Sequence, residues 1–311
     1  MPPSPEEARR LLCALGDHVR DLVLAARGTD MAAVAGETVA DTIYAIDRVA
    51  DDTLIDWFEE HWPGVLVVSE GLDEPVLVGA AAAWTVIVDS IDGTRGLMYD
   101  KRSAWSLAAA ARPGGGLADI EAAAMTELPT AKQGAADQLS AWRGGGLLAE
   151  RVDLAQRERV AFDVRPSAAK DLEHSFSGLA KFFLPGKPAL ASLEAELFAR
   201  LGVRHVFDDE YLSSGGQLHE LITGRDRFVA DLRPLVQHQG LDCHPYDVCT
   251  AMLLEEVGGV VTDPWGEPLS VPLDNVSSVA WVGYANVALA ARIGPVLTEL
   301  VAELVDGLGA G

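Results

Sequence analysis

Cysteine is scarce. The chain has three in 311 residues, Cys13, Cys243 and Cys249. An odd number, at spacings that match no zinc site, argues against a disulfide framework and fits a reducing compartment. Cys249 falls on the apolar side of an expected helix and reads as a small core residue. Basic residues are also few: 24 Lys and Arg stand against 47 Asp and Glu, a formal net charge of −23. Such a balance repels phosphodiester backbones and anionic lipid, and the arginines are scattered rather than gathered in a stripe. Neither nucleic acid nor a membrane surface is therefore an expected partner. No apolar run approaches the roughly 18 residues of a membrane span. The opening Met1-Pro2-Pro3-Ser4-Pro5-Glu6-Glu7 lacks the basic start and apolar core of a secretory signal, so a cytoplasmic protein is expected.

Signatures of several enzyme classes are missing as well. No G-x-S-x-G elbow announces a serine hydrolase, and the glycines at 114–116 are not followed by the G-K-[ST] of a nucleotide P-loop. The seven histidines, His18, His61, His174, His205, His219, His238 and His244, include no H-x-x-x-H or H-E-x-x-H pair. They read as surface or structural residues, with His238 and His244 flanking a candidate pocket segment. Lys170 and Lys181 could reach a second phosphate, but lone lysines are ordinarily solvated.

What is present is a chain rich enough in apolar residues, 49 %, to bury layered secondary structure. Ser4, Pro5 and Glu7 form a capping signal for a first helix. Leu11, Leu12, Leu15, Val19, Leu22 and Val23 give that helix one apolar face, and Gly28 ends it. A second helix is expected over 38–62, with Ile43, Ile46, Val49, Leu54, Trp57 and Phe58 inside. Two β-rich runs follow, at 65–68 and 84–88, and each ends in acidic chemistry: Ser69-Glu70 after the first, Asp89 after the second. Further strands are expected at 104–112, 120–127, 146–151, 205–207, 228–232 and 260–262. Helices are expected at 189–202, 216–223, 246–257 and 286–308. A soft boundary near Pro185–Pro188 divides an N-terminal part, 1–185, from a C-terminal part, 186–311.

The sharpest chemical signal is Asp89-Ser90-Ile91-Asp92-Gly93-Thr94. It follows a buried strand and enters a turn, so both aspartates can sit at one mouth. Carboxylates this close repel unless a proton or cation lies between them, and oxygen ligands suit Mg2+. Gly93 permits a tight turn, Thr94 offers a hydroxyl to a water, and the N–H groups of both can face an anion. The alternative for Asp92 is an ordinary Asp-Gly turn. The D-x-D-x-D-G spacing of a calcium loop is absent. The second signal is His244-Pro245-Tyr246-Asp247 leading to Gly258-Gly259, where Asp247 either caps a helix or points into the site.

Together these segments resemble the inositol monophosphatase family of magnesium-dependent, lithium-sensitive phosphomonoesterases. The family's D-P-[IL]-D-G-T is matched by Asp89–Thr94 with Ser90 for the proline. Its G-E-E is matched in part by Ser69-Glu70-Gly71. Its W-D-x-A-A-G segment is matched from Tyr246-Asp247 to Gly258-Gly259, one residue short of the usual spacing. The resemblance implies an α/β (α+β) fold, a layered αβαβα sandwich. It also implies that Glu70, Asp89 and the Ile91 carbonyl hold one Mg2+, and that Asp89, Asp92 and Asp247 hold a second. A third, weaker ion could join through Glu70. Thr94, oriented by Asp47, would help Glu70 activate water, and the N–H groups of Gly93 and Thr94 would bind phosphate. Asp47 reads equally as a solvated helix carboxylate. Ser213-Ser214-Gly215-Gly216 stands where the family contacts substrate hydroxyls, and a helix-capping turn explains it as well. The implied activity is hydrolysis of an inositol or sugar phosphate. The alternatives are a fructose 1,6-bisphosphatase, a 3′-phosphoadenosine 5′-phosphate phosphatase, or a metal-binding regulatory protein without turnover. A homodimer and lithium inhibition are implied by resemblance alone. The departures are the loss of the second glutamate at Gly71, Ser90, Tyr246 for tryptophan, and a longer segment over 231–243.

Overall fold

A computed structural model describes residues 1–26, 34–37, 42–44, 53–236 and 242–309. Helix α1 (Pro5–Ala26) starts where its capping signal lies. The Ser4 N–H donates to the Glu7 carboxylate at 2.7 Å, and the Glu7 N–H donates to Ser4 Oγ at 3.3 Å. Its buried stripe includes Leu12, Leu15, Val19 and Val23, four of the six residues expected on that face.

The helix expected over 38–62 does not form as one element. Thr42–Tyr44 is strand β2, antiparallel to β1 (Val34–Glu37), and helix α2 covers Leu54–His61. Thr42-Ile43-Tyr44 is a β-branched and aromatic run, and in this stretch that local preference prevails over helical spacing. Ile46, Asp47 and Val49 lie outside the described residues.

The first sheet runs from β3 (Val65–Ser69) and β4 (Val76–Val78) through β5 (Trp84–Asp92), β6 (Ala104–Ala111) and β7 (Ile120–Leu128). It continues with β8 (Ala135–Trp142), β9 (Leu148–Asp153) and β10 (Arg159–Ala161). The spatial order is β10-β9-β8-β7-β6-β5-β3-β4, antiparallel except for the β3–β5 pair. The short helix α3 (Thr94–Met98) leaves the end of β5. The pleat sorts side chains between two cores. Val86, Val88, Ala108, Ala110, Ala122 and Ala124 face α1 and α2, whereas Ile87, Leu107, Ala109, Ala123 and Met125 face the second sheet.

The second sheet is built from β11 (Ser175–Leu179), β12 (Val206–Phe207), β13 (Asp226–Asp231), β14 (Val260–Thr262) and β15 (Trp281–Tyr284), in the order β12-β11-β13-β15-β14. The expected boundary near Pro185–Pro188 falls inside the stretch that builds this sheet. Helix α4 (Lys187–Leu201) follows β11, and α5 (Ser214–Ile222) precedes β13. Two one-turn helices, α6 (Arg233–Val236) and α7 (Met252–Glu255), and the terminal α8 (Val287–Gly309) complete the described elements. Helix α7 is shorter than the helix expected over 246–257. Residues 245–251 wind instead as tight turns, with Asp247 N–H reaching the His244 carbonyl at 3.1 Å and Ala251 N–H reaching Val248 at 2.9 Å.

The layers follow from these contacts. Helix α1 covers β6, β7 and β8; α5 and α7 fill the space between the sheets; α4 and α8 pack together on the far side. This is the αβαβα sandwich that the resemblance implies. Helix α1 sits very close on its sheet. Gly16 meets Thr126, and Gln138 Nε2 donates to Thr126 Oγ1 at 2.9 Å and to the Cys13 carbonyl at 3.0 Å. A methyl group at Gly16 would lie 2.8 Å from Thr126 Cβ. Gly16→Ala should therefore destabilise the protein by about 1–3 kcal/mol in denaturant titration. In an exposed helix position the same change stabilises by up to about 1 kcal/mol, and a gain here would disprove the close packing.

Candidate metal centre

Three chain segments meet at one mouth. β3 and β5 run parallel, with Ser69 opposite Val88, so Glu70 and Asp89 leave neighbouring strand ends side by side. The strand register shifts between Asp89, opposite Leu107, and Asp92, opposite Trp105, so β5 carries an extra residue and bends locally before it pairs with β6 again. Within the bend the Ile91 N–H donates to Asp89 Oδ1 at 3.1 Å, and Thr94 Oγ1 donates to the Ile91 carbonyl at 2.8 Å. Gly93 makes the turn into α3 with φ of 94°, a left-handed conformation that favours glycine. From the C-terminal side, the His244 N–H donates to Asp247 Oδ2 at 2.6 Å, which fixes that carboxylate at the start of its turns.

Carboxylate oxygens of Asp89, Asp92 and Asp247 lie within 4.8 Å of one another. Asp89 is 1 % and Asp92 6 % exposed, so water cannot solvate their charges as it would at a surface. Burial, and then the charge of Asp247, push the Asp92 pKa up. Burial likewise raises Asp247, against the lowering effect of the His244 N–H. Glu70 stands at the same mouth but outside that close group. Its field is felt at Tyr246, a buried phenol raised first by burial and then by Glu70, Asp247 and Asp89.

The donor set fits a hard divalent cation. Several carboxylate oxygens and a strand-end carbonyl are the ligands Mg2+ takes, and a dication reverses the repulsion that raises these pKa values. The 213–216 segment is the helix-capping turn, and it also reaches the acidic mouth. Ser213 caps α5 by accepting the Gly216 N–H at 3.4 Å, and the Gly215 N–H donates to Asp92 Oδ2 at 2.7 Å. A side chain at Gly215 would strike Asp92, because its Cβ would lie 2.7 Å from Oδ2. Ser214 is buried, with its hydroxyl 3.9 Å from Cys243 Sγ. Asp47 and His238 lie outside the described residues. Lys181 does not serve as a solvated cation, since it pairs with Glu194 at 2.9 Å and with Asp208.

A buried ion pair that the sequence reading missed lies at the head of the 231–243 segment. Asp231 is fully buried and receives Arg233 Nε at 2.8 Å, while the guanidinium lies 4.6 Å from the centre of the Phe182 ring. Asp231 ends β13 and Arg233 opens α6. Only the i to i+2 spacing of opposite charges hinted at it.

The fold and the acidic mouth define a layered α/β protein with a carboxylate cluster at its strand ends that could hold a metal ion. The inositol monophosphatase family model matches residues 4–306, and the chain belongs to that family. The family is metal-dependent, and its fold is shared by solved structures of low identity. SuhB of Mycobacterium tuberculosis is 19 % identical, with a TM-score of 0.65, over 96 % of this chain and 98 % of that one. An inositol monophosphatase of Thermotoga maritima is 17 % identical, with a TM-score of 0.63, over 95 % and 97 %. The fructose-1,6-bisphosphatase of Leishmania major is 13 % identical, with a TM-score of 0.69, over 95 % and 94 %. No curated protein matches the chain by sequence. No helix among the described residues is long and apolar enough to cross a membrane.

Raised carboxylate pKa values carry a stability consequence. Without metal, the protonated aspartates are the compatible form, so their contribution is fully present at low pH. It is lost as pH rises from the ordinary carboxylate range towards neutrality. A bound dication removes that penalty. The increase in melting temperature on adding Mg2+ should therefore be larger at pH 8 than at pH 5, as followed by thermal denaturation. Equal increments at both would count against ionised Asp92 and Asp247 as ligands.

Proposed function

We propose that this protein is a Mg2+-dependent phosphatase acting on the phosphate monoester of a small soluble molecule, an inositol or sugar phosphate. The observation that carries this reading is the convergence of Asp89, Asp92 and Asp247 within 4.8 Å from distant parts of the chain. Glu70, Asp89 and the Ile91 carbonyl would hold one Mg2+, and Asp89, Asp92 and Asp247 a second, with Asp89 shared. When bound, such ions lower the pKa of a water and neutralise charge on the entering and leaving oxygens.

The remaining roles belong to the protein's own groups. Thr94, whose hydroxyl is held against the Ile91 carbonyl, orients the attacking water, and Glu70 takes its proton. Asp47 orients Thr94 in the same reading. The N–H groups of Gly93 and Thr94 bind the phosphate oxygens, so the turn after β5 supplies anion binding beside the carboxylates. Asp92 keeps its orientation through the Gly215 N–H, and Ser213 and Ser214 line the approach of the alcohol. The N-terminal part, 1–185, thus carries most of the metal ligands, and the C-terminal part, 186–311, brings Asp247 and the alcohol side. A homodimer in the cytoplasm belongs to the same reading, and light scattering tests the oligomer.

Gly71, in place of a second glutamate, favours one competing reading, a metal-binding regulatory protein without turnover. Phosphate release from a panel of inositol phosphates, sugar monophosphates, fructose 1,6-bisphosphate and 3′-phosphoadenosine 5′-phosphate, with and without Mg2+, separates the two. Release from an inositol or sugar phosphate only with Mg2+ is the expected result. No release from any ester would leave the regulatory protein standing.

Asp92→Asn keeps the shape and the acceptor for Gly215 while removing the charge. It should lower turnover by at least about a hundredfold, roughly 3 kcal/mol of barrier, with a melting temperature in chelator equal to or above that of the unchanged protein. Substantial activity in this variant would refute the metal assignment.

A further inference from the structure

Two of the histidines that show no ligand spacing along the sequence, His174 and His205, come together in space. His174 and Glu173 precede β11, and His205 precedes β12, thirty-one residues on from His174. The two strands pair in parallel with Ser175 opposite Val206, so the residues just before them are neighbours by register. The backbone closes the junction: the His174 N–H donates to the His205 carbonyl at 2.6 Å. The imidazole centroids are 5.1 Å apart, and ligand atoms of Glu173, His174 and His205 lie within 4.8 Å of one another.

The carboxylate is the best-fixed member. Glu173 Oε2 accepts the Arg204 N–H at 3.0 Å, Oε1 meets His205 Nδ1 at 2.6 Å, and Arg227 donates to the Glu173 carbonyl at 3.0 Å. The Arg204 N–H, and then His205, hold the Glu173 carboxyl down to about 2, so it is ionised throughout the useful pH range. Both imidazoles are exposed, so an ion can reach them, and they turn about Cβ–Cγ through a broad torsional well. The group shares no element with the acidic mouth.

We propose that Glu173, His174 and His205 bind one divalent transition-metal ion of the Zn2+ class at the edge of the second sheet. Two imidazoles and a carboxylate are the three-ligand set such ions take, with water completing the shell. Nitrogen ligands discriminate against Mg2+, so this site and the carboxylate mouth select different metals. The bound ion ties the β12 edge to the turn before β11, in the place where Glu173 already joins the two through His205.

The test uses tag-free full-length protein, stripped with chelator and then kept in excess Mg2+. Zn2+ is titrated by calorimetry, and Co2+ by its visible absorption. The expected result is one Zn2+ per chain in the micromolar range and a Co2+ spectrum of nitrogen ligation. His174→Ala and His205→Ala, at exposed positions, should retain the fold by circular dichroism and weaken binding about tenfold or more. Asp92→Asn should leave Zn2+ affinity unchanged. Absence of micromolar binding, unchanged affinity in both histidine variants, or loss of binding in Asp92→Asn would each overturn the proposal. The last outcome would put the ion in the acidic mouth.

Discussion

Asp89, Asp92 and Asp247 repel one another across less than 5 Å, and two of them do so where water has almost no access. Much of the surrounding architecture holds that unfavourable arrangement in place. The parallel β3–β5 pair sets Glu70 beside Asp89, the register break after Asp89 swings Asp92 round, and the Gly215 N–H at the start of α5 fastens one of its oxygens. Asp247 is held by its own turn through the His244 N–H. Each restraint comes from backbone, which gives with difficulty, rather than from long side chains. An arrangement built in this way keeps its shape when a cation arrives, so little ordering entropy is lost on binding.

The two sheets divide the labour. The first supplies a rigid wall whose alanine-rich strands let α1 lie close, and its β5 delivers the carboxylates. The second sheet, with α5 and α7 between it and the first, delivers Asp247 and the glycine N–H that orients Asp92. The site therefore belongs to neither sheet alone. It exists only where the layers close.

The sequence made the acidic motif legible because its chemistry is local: Asp89, Asp92, Gly93 and Thr94 lie within six residues, and the run before them, Trp84-Thr85-Val86-Ile87-Val88, is β-branched and aromatic throughout. Helix α1 was legible through its Ser4–Glu7 cap, and the strands at 65–69, 104–111 and 120–128 through their apolar runs. Asp247 was less sharply legible, because one aspartate near a helix start reads as a cap as readily as a site residue, and the resemblance was needed to prefer the second. Strand β8 was missed because Ala135–Trp142 mixes small and polar residues whose burial depends on its neighbours. The 42–44 strand was hidden inside helical spacing, and the Asp231–Arg233 pair and the Glu173–His205 contact depend on tertiary approach.

Strand order in the second sheet has a bearing on how the protein matures. β14 touches the sheet only through β15, which comes later in the chain and wedges between β13 and β14. During synthesis, β14 must wait for Trp281–Tyr284 before it joins the sheet, whereas α7 just before it already finds β7, β8 and α5 in place. Pairings this far apart form slowly. The nascent polypeptide thus carries the Asp89–Asp92 turn long before the strand downstream of Asp247 is paired, and closure of the second sheet is a late event in folding.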